Sequence, residues 1–231
     1  TYGCKISYLT VGQNERNIEP DFIKYVANAL ENETDERYDY GSIRLVAGEG
    51  VGTWGISKSM LEDDELMEIV DVVTSHYTSF TSDATKTVQK ENGKKVWFSE
   101  GSSPMKAEQL VRNREENASG LSGLNGMLDI ASRITQAMTE GMTMYEFQPL
   151  ISSYYSGATY FPKQLITANE PWSGAYSLDA GYYMTLHFSR FIMPGWQFIE
   201  NACYGDGKAG GDGHAIVDST FNYITCKDPE T

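Results

Sequence analysis

The sequence predicts an α/β protein built on a parallel β-sheet. Three observations support this: β-rich runs alternate with helix-period runs, no tight hairpin turns join them, and no short-period repeat or low-complexity segment interrupts the alternation. A chain of 231 residues is also long enough to bury a sizeable core. We therefore expect consecutive βα units that share one core.

The predicted elements follow in order along the chain. The β-rich runs expected to form the parallel sheet are residues 5–11, 42–47, 69–74, 95–99 and 142–147. The runs with helical periodicity are residues 20–30, 61–67, 83–91, 121–139 and 180–192. Pro194-Gly195 breaks the pattern, and the strand-like residues 214–226 then indicate the beginning of a separate β domain.

Composition excludes several classes of partner. The chain carries 18 basic and 32 acidic side chains, a net charge of −14, and no stretch interleaves basic with aromatic residues. Nucleic acid and anionic membrane surfaces are therefore not expected as partners. No apolar run approaches the roughly 20 residues that a transmembrane helix needs, so no transmembrane segment is expected.

Cysteine spacing and glycosylation sequons bear on compartment and metal binding. Cys4, Cys203 and Cys226 lack the spacing of metal ligands, so no metal and no cofactor are expected. Cys203 and Cys226 could form a disulfide, or both could remain free buried thiols. The Asn-x-Ser/Thr sequons at Asn32 and Asn117 point to an extracellular or secreted protein.

Carboxylates follow two of the predicted strands. Asn14-Glu15 comes just beyond the first strand, and Ser99-Glu100 ends the fourth. In a parallel barrel, functional groups gather at the carboxyl ends of the strands. Either glutamate alone is equally well explained as a helix N-terminal carboxylate favoured by the helix dipole. Together they suit glycoside hydrolysis, in which one carboxyl group protonates the leaving oxygen and the other attacks the anomeric carbon.

Six ordered segments carry a family resemblance. They read ISYLTVGQNERN, DVVTSHY, GKKVWFSEGSS, ISSYY, ANEPWSGAY and HFSRFIMPGWQF. In this order they resemble the galactocerebrosidase family, glycoside hydrolase family 59, which belongs to the retaining (β/α)8-barrel glycosidases. The resemblance implies the C-terminal part of a TIM barrel, strands 4 to 8, in residues 1–197 and the first strands of a β-sandwich in residues 198–231. It also implies an N-terminal segment with strands 1 to 3, on a separate chain or absent from this sequence.

The resemblance also implies roles for individual residues. Glu15 would be the general acid/base, Glu100 the nucleophile, and Asn14 would bond the sugar hydroxyl next to the reacting carbon. His76 and Tyr77, which end the third strand, would bind the sugar or Glu100, although a histidine at a strand end is as often structural.

The predicted site also includes two tryptophans, and two nearby segments differ from known sequence patterns. Trp54 and Trp172 would offer apolar faces to a pyranose ring, and core packing is the alternative for each. The family often has a tryptophan under the sugar where this chain has Phe147-Gln148. The glycine-rich segment GEGVGTWG lacks the Lys-Ser/Thr of a phosphate loop, so nucleotide binding is not expected.

The predicted function is that of a retaining exo-β-glycosidase. It would release a terminal sugar such as β-galactose from a glycolipid or glycan, with carbohydrate as its partner. The alternative is a non-catalytic carbohydrate-binding or scaffold module on a degenerate barrel. The presence of both predicted acids favours the enzyme.

Overall fold

The computed structural model describes residues 4–11, 19–101, 124–153, 164–205 and 222–231. Its central feature is a five-stranded parallel sheet with the order β1-β2-β3-β4-β5. The strands are β1 (Tyr8–Thr10), β2 (Arg44–Val51), β3 (Val70–His76), β4 (Lys95–Gly101) and β5 (Tyr145–Phe147). Strand order that follows chain order is the arrangement of a singly wound barrel, since a doubly wound sheet reverses direction at a switch point.

The sheet curls strongly. Tyr8 of β1 and Trp97 of β4 pack edge to face with ring centroids 4.9 Å apart, although β2 and β3 separate their strands within the sheet. Lys95 Nζ also lies 2.9 Å from the Tyr8 hydroxyl. A flat sheet would hold these side chains about three strand spacings, roughly 14 Å, apart. The described residues therefore form a half-barrel, consistent with part of a TIM barrel.

α-Helices pack against the curled sheet and against one another. They are α1 (Pro20–Glu31), α2 (Gly55–Glu62), α3 (Asp64–Ile69), α4 (Asp83–Asn92), α5 (Leu124–Thr139) and α6 (Ala180–Phe191). Local chemistry sets several ends: the Asp63 side chain accepts from Leu66 N at 3.0 Å, and Ser82 Oγ accepts from Thr85 N at 3.1 Å. Gly93 ends α4 in the left-handed conformation, with φ of 68°.

The main core lies between the sheet and these helices. Residues of β2, β3 and β4 contribute to it, and the helices contribute apolar residues from the side that faces the sheet. Its fully buried members include Ile56, Met60, Leu66, Val70, Val73, Val88, Val96 and Phe98. A smaller cluster of Ile130, Ile134 and Leu165 joins α5 to the segments that follow. The core therefore fixes the strands, whose carboxyl ends lie at one edge of the sheet.

A second sheet follows the parallel one, and the sequence did not predict it. Its strands are β6 (Ile151–Ser153), β7 (Ile166–Asn169) and β8 (Ala175–Leu178). β6 and β7 are parallel, whereas β7 and β8 are antiparallel. These strands are short and β8 is exposed along its whole length, so they lack the apolar runs by which the first five were found.

The C-terminal residues form two small antiparallel pairs. β9 (Gln197–Phe198) pairs with β12 (Cys226–Lys227), and β10 (Tyr204–Gly205) pairs with β11 (Asn222–Tyr223). Residues 214–221, most of the predicted β segment, lie outside the described residues. Cys203 and Cys226 are free thiols, and burial together with the neighbouring Cys203 raises the pKa of the Cys226 thiol.

The predicted elements largely match the observed ones. All five predicted parallel strands are present, in the predicted order. The helix predicted at residues 61–67 is in fact two helices, α2 and α3, because the Asp63 cap starts a new helix there. Within the described residues, none of the helices is long and apolar enough to cross a membrane.

Candidate active site

Three titratable side chains meet at the carboxyl ends of neighbouring strands. Glu49 comes from β2, His76 ends β3, and Glu100 lies near the end of β4. Because the strands are parallel, these ends share one edge of the sheet, the edge that carries the functional groups of a parallel barrel. We call Glu49, His76 and Glu100 the carboxylate–histidine cluster.

A β-bulge turns two consecutive residues of β4 toward this cluster. Ser75 of β3 pairs with Phe98 and His76 pairs with Glu100, so Ser99 is an extra residue in the ladder. Strict alternation would point Ser99 and Glu100 to opposite faces. The bulge lets Ser99 Oγ reach Glu49 while the Glu100 carboxylate reaches Tyr77. Ser99 and Glu100, which follow the apolar run of β4, therefore both reach the same site.

A second bulge, in β2, places Glu49. Ala47 pairs with Val73 and Gly50 with Ser75, so Gly48 and Glu49 together oppose one residue of β3. Glu49 has a φ of 48°, which is uncommon for a residue with a side chain. Gly48 has a φ of 129°, and a Cβ there would lie 2.3 Å from the Thr74 carbonyl oxygen. Only glycine fits at position 48, and its conformation directs Glu49 inward.

Glu49 and His76 form a buried pair. Glu49 is 6% exposed and His76 is 1% exposed. One carboxylate oxygen, Oε2, is bonded to His76 Nε2 and accepts from Ser99 Oγ at 2.9 Å. The other, Oε1, accepts from Thr74 Oγ1 at 3.1 Å. A buried carboxylate is stable only with such partners, and this one has three.

Both carboxylate oxygens of Glu100 have a polar neighbour. Oε1 accepts a hydrogen bond from the Tyr77 hydroxyl, and Oε2 lies 3.7 Å from His76 Nδ1. Tyr77 adopts a left-handed φ of 58°, and its backbone N–H donates to the Glu100 carbonyl at 2.8 Å. These contacts fix the carboxylate in a partly buried position at the strand end, as a catalytic group requires.

β5 adds two polar groups to the site. The Gln148 side-chain oxygen lies 2.8 Å from the Tyr77 hydroxyl, so the single phenolic proton is shared between Gln148 and Glu100. Partial burial and the nearby charge of Glu49 raise the pKa of Glu146; His76 opposes this and Glu100 adds to it. Glu146 therefore lies near enough to the carboxylate–histidine cluster for the charges there to affect its pKa, although the residue is exposed.

The structure brings three of the predicted site residues together: Glu100, His76 and Tyr77. Trp54 lies in the main core, 7% exposed, and its indole N–H donates to the Phe80 carbonyl at 2.6 Å. Trp172 lies beside the second sheet and is 74% exposed. The packing alternative thus accounts for the position of Trp54, and the sugar contacts of both tryptophans stay predictions.

The predicted acid/base and its neighbour are not among these contacts. Glu15 and Asn14 lie outside the described residues, so the predicted separation between the Glu15 and Glu100 carboxyl groups stays a prediction. Within the described part of the chain, no group of three or more His, Cys, Asp and Glu side chains is arranged to hold a metal ion.

Sequence reasoning missed Glu49, Ser99, Glu146 and Gln148. Glu49 had a usable signal, since a carboxylate just past a strand was the argument for Glu15 and Glu100, and VAGEG presents another. As a phosphate loop the segment predicts no site, and the predicted strand ends at residue 47, two residues before Glu49. Ser99 carried no signal of its own, because only a bulge brings it into the site. Phe147-Gln148 is identified from the sequence only as the place where the family often has a tryptophan, and the bond from Tyr77 to Gln148 depends on the tertiary structure.

Comparison with known protein families gives the same family as the motifs. The family described as "Glycosyl hydrolase family 59" matches residues 1–190. The chain belongs to glycosyl hydrolase family 59. The family predicted from the six segments is therefore confirmed.

Curated relatives of this family 59 chain are galactocerebrosidases. Those of Homo sapiens and Mus musculus are each 30% identical over 212 residues, and that of Danio rerio is 28% identical over 223 residues. The matches cover 90%, 90% and 96% of this chain, but only 27%, 27% and 29% of the respective relatives. The family 59 chain thus spans less than a third of the length of these relatives.

Solved structures support the fold. SrfJ from Salmonella typhimurium matches with a TM-score of 0.63 at 15% identity, over 85% of this chain and 45% of that one. An endo-β1,6-glucanase matches with a TM-score of 0.60 at 13% identity, over 85% and 46%. At these identities the likeness concerns the fold alone, and it agrees with a family 59 half-barrel.

Proposed function

We propose that this chain is the catalytic part of a retaining exo-β-glycosidase that releases a terminal β-linked sugar from a glycolipid or glycan. The observation that carries the proposal is the position of Glu100. It lies at the carboxyl end of a parallel strand, where the Tyr77 hydroxyl donates to one of its oxygens and His76 Nδ1 lies 3.7 Å from the other. A nucleophilic carboxylate needs such fixed orientation, because the reacting atoms must approach in line.

Two glutamates would perform a double displacement. Glu100 attacks the anomeric carbon while Glu15 donates a proton to the departing glycosidic oxygen, which leaves a glycosyl ester on Glu100. Glu15 then takes a proton from water, the water oxygen attacks the anomeric carbon, and Glu100 is released as carboxylate with overall retention of configuration. The required separation of the two carboxyl groups is about 5 to 5.5 Å.

The sugar proposed is β-galactose. Support comes from the curated relatives, which are named galactocerebrosidases and so suggest a galactose-bearing glycolipid. Asn14, His76, Tyr77, Trp54 and Trp172 would contact the sugar, and an extracellular or secreted location would fit the sequons at Asn32 and Asn117. No cofactor takes part in this mechanism.

A complete barrel would need a further segment. Within the described residues, β1 is paired only with β2, and β5 only with β4. Open edges of this kind are covered in soluble proteins. A cavity of 960 Å³ lies beside β5, and its lining includes the apolar groups of Trp97, Tyr145 and Phe188. Glu100 is not part of this lining. We propose that another part of the protein covers the cavity.

We also propose a domain boundary between residues 197 and 198. Strands 1 to 3 would precede this chain, residues 1–197 would supply strands 4 to 8, and residues 198–231 would begin a β-sandwich. The small antiparallel pairs β9–β12 and β10–β11 support the last part.

Turnover of an aryl β-galactoside by the protein as its gene encodes it tests the proposal. Wild type should hydrolyse it with retention, and Glu100→Gln should lower kcat/KM by about a thousandfold or more, since it removes the nucleophile. A 2-deoxy-2-fluoro galactoside should label Glu100, which peptide mass spectrometry can locate. Glu140→Gln is the matched control. It should retain activity, because Glu140 binds Thr81 and Lys86 on the helix side of the sheet.

Two outcomes would overturn the proposal. Full activity of Glu100→Gln would remove Glu100 from the mechanism. No turnover of any β-glycoside in a panel, with sugar binding retained, would favour the carbohydrate-binding module over the enzyme.

A further inference from the structure

Glu49 belongs to no part of the proposed double displacement, yet it is among the most completely bonded side chains of the site. Its carboxylate is buried at the end of β2 and accepts hydrogen bonds from Thr74 and Ser99 in addition to its bond with His76. A buried charge with this many dedicated donors calls for an explanation beyond the fold, because apolar residues would fill the same space at less cost in free energy.

The backbone is shaped to bring Glu49 to this position. Glu49 lies in the left-handed region, which is unfavourable for a residue with a side chain. Its backbone N–H is bonded to Thr74 Oγ1 at 3.0 Å, and the same hydroxyl shares its proton between Ala47 O and Glu49 Oε1. Thr74 therefore fixes both the main chain and the side chain of Glu49.

The contacts of Glu49 decide how the His76 ring is used. An ionised carboxylate accepts only, so the His76 Nε2 beside it carries a proton. This bond fixes the orientation of a ring that is almost wholly buried. The other nitrogen, Nδ1, is then directed at Glu100 Oε2, 3.7 Å away. One imidazole thus lies between a carboxylate with no proposed chemical step and the proposed nucleophile.

We propose that Glu49 is a positioning residue that acts through His76 on Glu100. Its carboxylate holds the His76 ring by Nε2, and the ring, protonated on both nitrogens between the two carboxylates, forms an ion pair with Glu100 Oε2 across 3.7 Å, while Tyr77 holds Oε1. This inference rests on the proposed role of Glu100 as nucleophile. Glu49 itself touches neither substrate nor the reacting atoms.

A double-mutant cycle in the protein as its gene encodes it tests the inference. Glu49→Gln keeps the shape of the side chain and removes its charge. With His76 present it should lower kcat about tenfold to a hundredfold and change KM by less than about threefold, because misplacing a reacting group lowers the rate of the chemical step. In a His76→Gln background the same change should cost less than about twofold, since its effect passes through His76. The control Glu140→Gln should leave kcat unchanged in both backgrounds.

Rescue and folding are checked in the same series. Glu49→Asp retains the negative charge and should recover part of the lost kcat, which a purely steric role of Glu49 would not allow. If Glu49→Gln does not fold, Ser99→Ala replaces it in the cycle, because it removes one hydrogen bond to the same oxygen and keeps the charge. Ser99→Ala should then lower kcat several-fold with His76 present and not in the His76→Gln background.

The outcomes separate this inference from the proposed function. If Glu100→Gln is inactive and Glu49→Gln has wild-type kcat, the proposed function stands and the positioning role is wrong. If Glu49→Gln lowers kcat equally with and without His76, Glu49 does not act through the ring and the inference is also wrong. Full activity of Glu100→Gln overturns the proposed function and, with it, the role given to Glu49.

Discussion

Two buried carboxylates, one beside each sheet, have similar immediate surroundings and different chemical settings. Glu49 at the parallel sheet and Asp179 at the second sheet are both buried, and each accepts from a buried threonine hydroxyl: Thr74 Oγ1 at 3.1 Å and Thr167 Oγ1 at 2.8 Å. Beyond Asp179 comes the first turn of α6, where the helix dipole favours a negative charge. Beyond Glu49 come His76 and Glu100.

The difference teaches that the bond pattern around a buried carboxylate does not decide its role. A threonine and a carboxylate can close a sheet end, as Thr167 and Asp179 do with Gln164. The same pair becomes part of a candidate active site when parallel strands bring a histidine and another carboxylate to the same edge. Pairs of substitutions, one beside each sheet, test whether the surroundings of the two carboxylates differ in their effect on activity.

The largest expected difference concerns the two tryptophans. Trp54→Ala should lower the free energy of unfolding by about 3 to 5 kcal/mol, because it leaves a cavity in the core. Trp172→Ala should change it by less than about 0.5 kcal/mol, since the ring is exposed. Denaturant unfolding of both variants measures this. KM for an aryl β-galactoside should rise in Trp172→Ala if that ring contacts sugar, and an unchanged KM would remove it from the site.

The next contrast removes one hydroxyl beside each sheet. Tyr77→Phe loses the bond to Glu100, so kcat/KM should fall about tenfold to a hundredfold, the effect expected when a reacting group is no longer held in place. Tyr176→Phe, on the exposed strand β8, should have no measurable effect. Steady-state kinetics on both variants decides it. Equal activity of the two would show that Tyr77 does not position Glu100.

Substitution of one buried threonine beside each sheet separates effects on stability from effects on activity. Thr74→Val and Thr167→Val each leave buried polar partners without a hydroxyl, so each should lower the free energy of unfolding by about 1 to 3 kcal/mol. Only Thr74→Val should also lower kcat, because only Thr74 binds a residue of the carboxylate–histidine cluster. Loss of kcat in both variants, measured at a temperature where both are folded, would contradict the contrast.

The smallest effect concerns pH. Partial burial and Glu49 raise the pKa of Glu146, so the folded protein keeps that proton to higher pH than the unfolded chain does. Stability is therefore lost as pH rises above the ordinary glutamate pKa of about 4.3. Glu146→Gln should raise the thermal midpoint slightly at neutral pH, and the gain should vanish below about pH 4. Glu170→Gln, an exposed change beside the second sheet, is the control, and a gain of equal size there would contradict the prediction.

Predictability differed between the two sheets for a physical reason. The strands of the first sheet carry apolar runs such as Val72-Val73 of β3 and VWF of β4, because both faces of a curled parallel sheet are covered. The second sheet has the polar runs ISS and AYSL, and its strands are defined by their pairing partners. Local pattern finds the first kind of strand and overlooks the second.

The sequence by itself determined the order of the parallel strands, the family, and the presence of Glu100 at a strand end next to His76-Tyr77 in the neighbouring strand. These follow from periodicity and motif, which are local properties. The tertiary structure decided which side chains meet there. Two bulges re-aim Glu49 and Ser99, and the curl of the sheet brings Gln148 to Tyr77. Such contacts depend on register between strands that lie more than 20 residues apart in the chain, which no local pattern encodes.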